Sequence, residues 1–284
     1  MRLPFERLAH LVTVPVSLGE VETRFVLDTG IGLTLLAETM CARVGCAPTG
    51  ETFSGPRMSG QEVSLPLGRV SALAFGDLAQ RDVAVGILDL EGFPAELAEI
   101  GGFLSLAFFA DRAFTVDYPD GCVVLETPET LAERSEAGVS VEVDPHPHGP
   151  ALDVFLPLAI PGGAVISAEV DMGSGALILD ERFATEVGVD LEAADPRCVE
   201  GTDETGGAFT RWFTTLPGSI HPAGAPELAQ EEPEVMFQRI IHDGLIGDAF
   251  LSRQPVTYDL PHRRMIFGRV GSYADDPPDP AGSQ

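Results

Sequence analysis

The chain is short of positive charge, of aromatic residues and of cysteine, and it has no long apolar run. Only 17 Lys and Arg stand against 44 Asp and Glu, a formal net charge of −27 over 284 residues. A surface of that sign repels phosphate backbones and anionic bilayers, so nucleic acid and membrane are not expected as partners. Cationic ligands are tolerated or attracted. Cys41, Cys46, Cys122 and Cys198 show no C-x-x-C spacing and no His at zinc-site spacing, which predicts free thiols in a reducing compartment. No apolar stretch has the length that a bilayer-spanning helix needs. The opening residues are interrupted by Glu6, Arg7, His10, Thr13 and Pro15 without a small-residue cleavage site, so no signal peptide is expected and the predicted location is cytoplasmic.

What is present points to turns and strands. Hydrophobic residues make up 44%, enough for a sizeable core, and 31 Gly with 23 Pro break the chain often. That composition predicts a mainly β protein rather than a helical bundle.

The chain also repeats itself. Residues 28–45 (DTGIGLTLLAETMCARVG) align with residues 171–188 (DMGSGALILDERFATEVG) at an offset of 143, with 7 of 18 positions identical. Residues 102–125 align with 244–267 at an offset of 142, matching Gly102 to Gly244, Phe108 to Phe250, Thr115 to Thr257, Asp117 to Asp259 and Pro119 to Pro261. Two separate blocks at nearly one offset mark a duplication. Two like units pack best about a pseudo-two-fold axis, where residues meet their own counterparts. Asp28 and Asp171 are the matched pair expected there.

Alternation predicts strands over residues 11–18 and 21–27 in the first half, and over 152–160 and 164–170 in the second. The second strand of each pair runs into its aspartate, and Gly30 and Gly32, or Gly173 and Gly175, then break it. A short helix is predicted over 37–44 and again over 180–187, each closed by a glycine, Gly45 or Gly188. The expected division is a first lobe over 1–126, a charged, Pro-rich linker over 127–150 with a possible strand at 139–143, a second lobe over 151–273, and a disordered tail over 274–284.

An apolar strand delivering Asp28-Thr29-Gly30, then Gly32-Leu33-Thr34-Leu35-Leu36 and a short helix, resembles the aspartic-protease signature. The Gly-Leu-Ile-Gly segment at 244–247 is similar to that family's apolar-apolar-Gly segment, and the T-x-D-x-P ending of each half to many bacterial retropepsin-like half-domains. The resemblance covers most of both halves. It implies a bilobal, pepsin-like protein made of tandem retropepsin-like β lobes with one short helix each. It needs no cofactor and no metal, and its partner is a peptide or protein substrate. A fused pair has no need to dimerise, so a monomer is expected.

The chemistry suits such a site. Two carboxylates about 3 Å apart share one proton, and the pair can activate a water against a peptide carbonyl and protonate the leaving amine. The resemblance places Thr29, Gly30, Met172 and Gly173 as supports of the active-site loops. It makes a β-hairpin flap of residues 53–65, with Met58, Ser59 and Gly60 as substrate contacts, and residues 202–213 with Trp212 as the counterpart. Some positions depart from the family pattern. Met172 stands where Thr or Ser is expected, so one cross-lobe hydroxyl is missing. Gly32 and Gly175 replace hydroxyl residues, and Ser105 replaces the Gly of the apolar-Gly segment.

Other signals fall away. Gly30-Ile31-Gly32 lacks the third glycine of a dinucleotide loop, since position 35 is Leu35. His146-Pro147-His148 lacks a third metal ligand. Asp117 and Asp259 sit before Pro turns and have a structural role. Three functions remain from the sequence: an aspartic endopeptidase using Asp28 and Asp171, a catalytically weak or inactive peptide-binding module on the same fold, or a glycosidase-type hydrolase with carboxyls about 5 Å apart or more.

Overall fold

The structure is a computed structural model, and it describes residues 1–193, 196–202 and 206–269. The tail expected at 274–284 lies outside the described residues, as do positions 203–205 of the second hairpin. Among the described residues no helix is long and apolar enough to cross a membrane. The four cysteines are free thiols.

Period-two patterning sets the strands. In Leu11–Leu18 the side chains of Val12, Val14, Val16 and Leu18 enter the core while the intervening ones do not pack as deeply. This strand pairs antiparallel with Val21–Leu27, Val12 opposite Leu27 and Leu18 opposite Val21. The second half repeats the hairpin with Ala151–Ala159 and Val165–Val170. Each half builds its own sheet, one of eight strands and one of ten. The fold is therefore mainly β and bilobal.

A third sheet of six strands joins the lobes. Its order runs Arg2–Pro4, Cys122–Leu125, Ala113–Asp117, Val256–Asp259, Arg264–Phe267 and Val139–Glu142. The pseudo-two-fold axis passes between the middle two strands. There Thr115 lies opposite Thr257, with their buried hydroxyls 2.7 Å apart. Beside them the rings of Phe114 and Tyr258 stack at 4.8 Å. The matched threonines of the two repeats thus meet at the axis.

Two expectations take a different form in the structure. The stretch 127–150, read as a linker with a strand at 139–143, holds a helix and two strands. Thr127 and Thr130 form a reciprocal cap with Pro128 in the first turn, starting the helix Pro128–Ala137. Val139–Glu142 then joins the interlobe sheet, and Asp144–His148 forms an edge strand against Ala151–Ala159. An edge position tolerates Pro145 and Pro147, whose missing N–H groups would break a central strand.

Each lobe carries one short α-helix, but that of the second lobe stands elsewhere than expected. The first has Glu38–Val44, closed by Gly45 at φ +69°. In the second, the helix expected at 180–187 is reduced to a 3-10 turn, Glu181–Phe183. The Asp180 carboxylate is shared between the N–H groups of Arg182 and Ile240, which ties the first turn to a neighbouring strand end and keeps it tight. A helical turn forms instead at Asp248–Leu251.

The helix 128–137 carries the one arginine that the interlobe sheet buries. Arg134 lies 3.2 Å from Glu126 and 3.5 Å from Asp117, whose side chains are 0% and 4% exposed. Glu126 in turn accepts a hydrogen bond from Thr115 at the axis. Removing the guanidinium leaves two buried carboxylates without a cation. Arg134→Met is expected to cost about 3–5 kcal/mol in urea denaturation. Arg2→Met, which breaks the solvent-exposed pair with Asp120, is expected to cost under about 1 kcal/mol. Equal costs for the two would contradict this account.

Candidate active site

Asp28 and Asp171 each follow the last residue of a strand, and each is held by a short parallel neighbour. Val21–Leu27 lies beside Gly102–Leu104, and the Asp28 N–H donates to the Leu104 carbonyl at 3.0 Å. Val165–Val170 lies beside Gly244–Ile246, and the Asp171 N–H donates to the Ile246 carbonyl at 3.0 Å. Each carboxylate then accepts the N–H of the glycine two residues on, Gly30 at 3.0 Å and Gly173 at 2.7 Å.

The loops meet across the lobes. A Cβ on Gly30 would overlap the Asp171 carboxyl, and a Cβ on Gly173 would overlap that of Asp28. Only glycine permits this approach. The two carboxyls lie in hydrogen-bond contact, closer than the separation of about 5 Å or more that a glycosidase pair needs.

Thr29 ties the loops together. Its buried hydroxyl donates to the Val170 carbonyl at 2.7 Å and accepts the Met172 N–H at 2.9 Å. The reciprocal hydroxyl is missing, as the sequence indicates, but the Met172 side chain fills the place as core, 1% exposed. Ser105 does not leave an orphan either. Its hydroxyl lies 3.1 Å from that of Thr34, which also accepts the Ser105 N–H. At the matching position Gly247 has no such room, because a Cβ there would overlap the carbonyls of Ser174 and Ala176.

Gly32 and Gly175 gain a reason from the structure. A Cβ on Gly175 would come within 3.1 Å of the His10 ring, and one on Gly32 within 2.9 Å of the Asp153 carboxylate. His10 and Asp153 are themselves separated by the repeat offset of 143. Each lobe therefore sends a polar side chain against the other lobe's loop, a base on one side and an acid on the other. His10 also places Nε2 3.0 Å from the Gly173 carbonyl.

These surroundings shift the dyad unequally. Burial raises the Asp28 carboxyl well above the usual range, and the charge of Asp171 raises it further. Burial also raises Asp171, but the Gly173 N–H, the hydrogen bond from Asp28, the Ser174 N–H and the positive charge of His10 all oppose that rise. Both carboxyls are thus raised by burial, and the shared proton belongs to the pair.

Residues 14–106 match the family model described as aspartyl protease. Over that stretch the sequence is similar to aspartyl proteases. The fold of the chain is similar to that of conglutin gamma, a basic 7S globulin from lupine seeds, at 12% identity with 94% of each chain covered and a TM-score of 0.52. It is also similar to basic 7S globulin from soybean, at 11% identity, 94% and 95% coverage and a TM-score of 0.54. No curated protein sequence matches the chain.

The expected flap is a hairpin of Ala47–Pro56 and Glu62–Phe75. Its tip reaches the second lobe: the Met58 carbonyl accepts the Ile241 N–H at 2.9 Å, and Gly60, at φ +81°, packs against Ile241. The counterpart hairpin, Arg197–Thr202 with Ala208–Thr215, carries Trp212. Trp212 lines a cavity of about 470 Å³ with Ser59, Phe209 and Gln238, and neither aspartate reaches it. The structure thus brings Asp28, Asp171, Thr29, Gly30, Met172 and Gly173 together, while Met58, Ser59 and Gly60 close over the second lobe and Trp212 lies apart from the dyad.

Sequence reasoning missed Glu169, Asp153 and His10. Glu169, two residues before Asp171, is 6% exposed, and its carboxyl is pushed up to about 9 by burial and by Asp171, Asp153 and Asp28. The available signal was a lone acid inside the apolar strand that delivers Asp171.

Two measurements follow from this geometry. Thr29→Val leaves the buried Met172 N–H without its acceptor, and is expected to cost about 1–3 kcal/mol in urea denaturation. The raised carboxyls predict the pH dependence. Glu169 binds its proton more tightly folded than unfolded, so its contribution is fully present below its ordinary value of 4.5 and is lost as pH rises to about 9. Stability should fall over that window, and Glu169→Gln should flatten the fall by a difference on the order of a few kcal/mol. Parallel stability curves for the two proteins would contradict the assignment.

Proposed function

We propose that the chain is an aspartic endopeptidase. The observation that supports this is the mutual approach of the Asp28 and Asp171 carboxyls through two side-chain-free glycines. In this reading the pair shares one proton, and the steps are written for the microstate with Asp28 protonated and Asp171 ionised. Asp171 takes a proton from a water whose oxygen bonds to the scissile carbonyl carbon. Asp28 gives its proton to the developing oxyanion, so the tetrahedral intermediate is neutral. On collapse the C–N bond breaks, the leaving nitrogen takes the proton from Asp171, and a hydroxyl proton of the intermediate returns to Asp28. Acid, amine and the original dyad remain.

The flap would lie over an extended peptide and meet it with strand-like backbone hydrogen bonds. A second reading, a peptide-binding module without turnover, is favoured by the single cross-lobe hydroxyl, because a dyad held from one side is less firmly set.

The test is cleavage of a diverse peptide library between pH 4 and pH 7, chosen as a range of about three units around the acid values of such dyads. Wild type is expected to cleave, and Asp28→Asn and Asp171→Asn are each expected to lose about 10²–10⁴-fold or more. Cleavage that survives either change would refute the shared-proton mechanism. Peptide binding without cleavage by folded wild type would favour the binding module.

A further inference from the structure

Alternation places Val165, Ser167, Glu169 and Asp171 on one face, opposite the core face that Ile166, Ala168 and Val170 enter. The sheet register extends that face. Glu169 stands opposite Phe155 and beside Leu245, Leu245 beside Ile178, and Ile178 beside Met236. Ile178, Met236, Ile240 and Leu245 form one apolar cluster, and Met58 of the flap packs on it. Glu169 therefore stands at the border of an apolar floor, with Leu245 on one side and the polar groups Asp171, Asp153 and His242 on the other.

The pseudo-two-fold axis supplies the control. At the repeat offset of 143, the counterpart of Glu169 is Val26. Val26 stands beside Phe103, and Phe103 beside Leu35, as Glu169 stands beside Leu245 and Leu245 beside Ile178. Val26, Leu33, Leu35 and Phe103 pack as one cluster with the flap residues Phe53 and Leu65 against it. The two floors match in register and in apolar character. They differ where one has Val26 and the other Glu169.

Nothing in the fold neutralises Glu169 well. Among the described residues no hydrogen bond reaches its carboxyl, and the nearest cationic group is His242, with Nε2 3.5 Å away. Burial disfavours the charged form of that His242. The other ionisable groups acting on Glu169 are Asp171, Asp153 and Asp28, all of its own sign. Burial among three like charges keeps Glu169 protonated, and a bound cation beside it lets it ionise.

We propose that Glu169 is a specificity residue that selects an arginine or lysine side chain at the substrate position bound on the second-lobe side of the scissile bond, with an apolar side chain on the first-lobe side. This rests on the reading of the cleft as a peptide site. The aliphatic stem of the basic residue lies along Leu245, Ile178 and Met58, and its head forms a charge-assisted hydrogen bond with Glu169. The net charge of −27 draws such peptides to the surface.

Matched peptides carrying Arg, Lys, citrulline or norleucine at each position flanking the cleaved bond test this. Wild type is expected to favour Arg and Lys over citrulline and norleucine by about 10–100-fold in kcat/KM at one flanking position. Glu169→Gln should bring that ratio near unity, and Glu169→Val should reverse it toward norleucine. Isothermal titration with uncleavable reduced-amide analogues, Arg against norleucine, gives the same ratio without chemistry. Cleavage with no basic preference, or a preference that survives Glu169→Gln, overturns the proposal and leaves the peptidase reading standing. Selective binding of the Arg analogue that Glu169→Gln abolishes, with no cleavage of any peptide, supports the proposal and overturns the peptidase reading. Failure to bind any analogue overturns both.

Discussion

Everything in this protein is arranged around the contact of two carboxyl groups that repel each other. Two negative charges cannot share a buried site, so the contact exists only with one proton held between Asp28 and Asp171. The backbone must come close enough to bring them together, and Gly30 and Gly173 permit that because neither has a side chain in the way. Thr29 then fastens the loops through the Val170 carbonyl and the Met172 N–H. None of these bonds could hold two lobes alone. The six-stranded interlobe sheet does so, with Thr115 against Thr257 and Phe114 against Tyr258 on the axis. The cost of the site is offset by ordinary packing elsewhere.

Duplication within one chain frees the halves to differ. A symmetric homodimer would repeat every change on both sides of its axis. Here His10 and Asp153 occupy matched places with opposite chemistry, and each fills the space left by the other lobe's glycine. The result is a dyad whose two loops meet different polar neighbours, His10 on the Gly175 side and Asp153 on the Gly32 side. Val26 and Glu169 differ for the same reason. One lobe keeps an apolar floor beneath the flap, and the other places an acid at its border. The loss of one loop hydroxyl at Met172 belongs to the same divergence, and Thr29 keeps its own bonds to the Val170 carbonyl and the Met172 N–H.

The parts legible in the sequence are those with short-range patterns. Alternation reveals the strands before each aspartate, and the constant offset pairs Asp28 with Asp171. The flap hairpin at Met58, Ser59 and Gly60 was legible through the resemblance to aspartic proteases, with Gly55 and Gly60 allowing the bend. Of the stretch after residue 127 only the strand Val139–Glu142 was legible, not the helix before it or the strand after it. Its prolines read as a linker, yet Pro145 and Pro147 fit an edge strand, and edge position is a property of the folded sheet. The helix expected after Asp180 is shortened by a bond to Ile240, sixty residues away in the chain. Glu169, Asp153 and His10 were hidden for a related reason. Their importance lies in cross-strand register and cross-lobe contact, which no local window contains.

The flap contact sets how such a cleft can be entered. Its tip is held to the second lobe by the Ile241 to Met58 hydrogen bond and by the packing of Met58 on Ile178, Met236 and Leu245. An extended peptide that enters would replace the Ile241 bond with its own backbone groups and give Met58 a new apolar neighbour. The closed contact keeps water away from a floor that holds one apolar cluster, the acid at its border and a carboxyl pair that shares a proton.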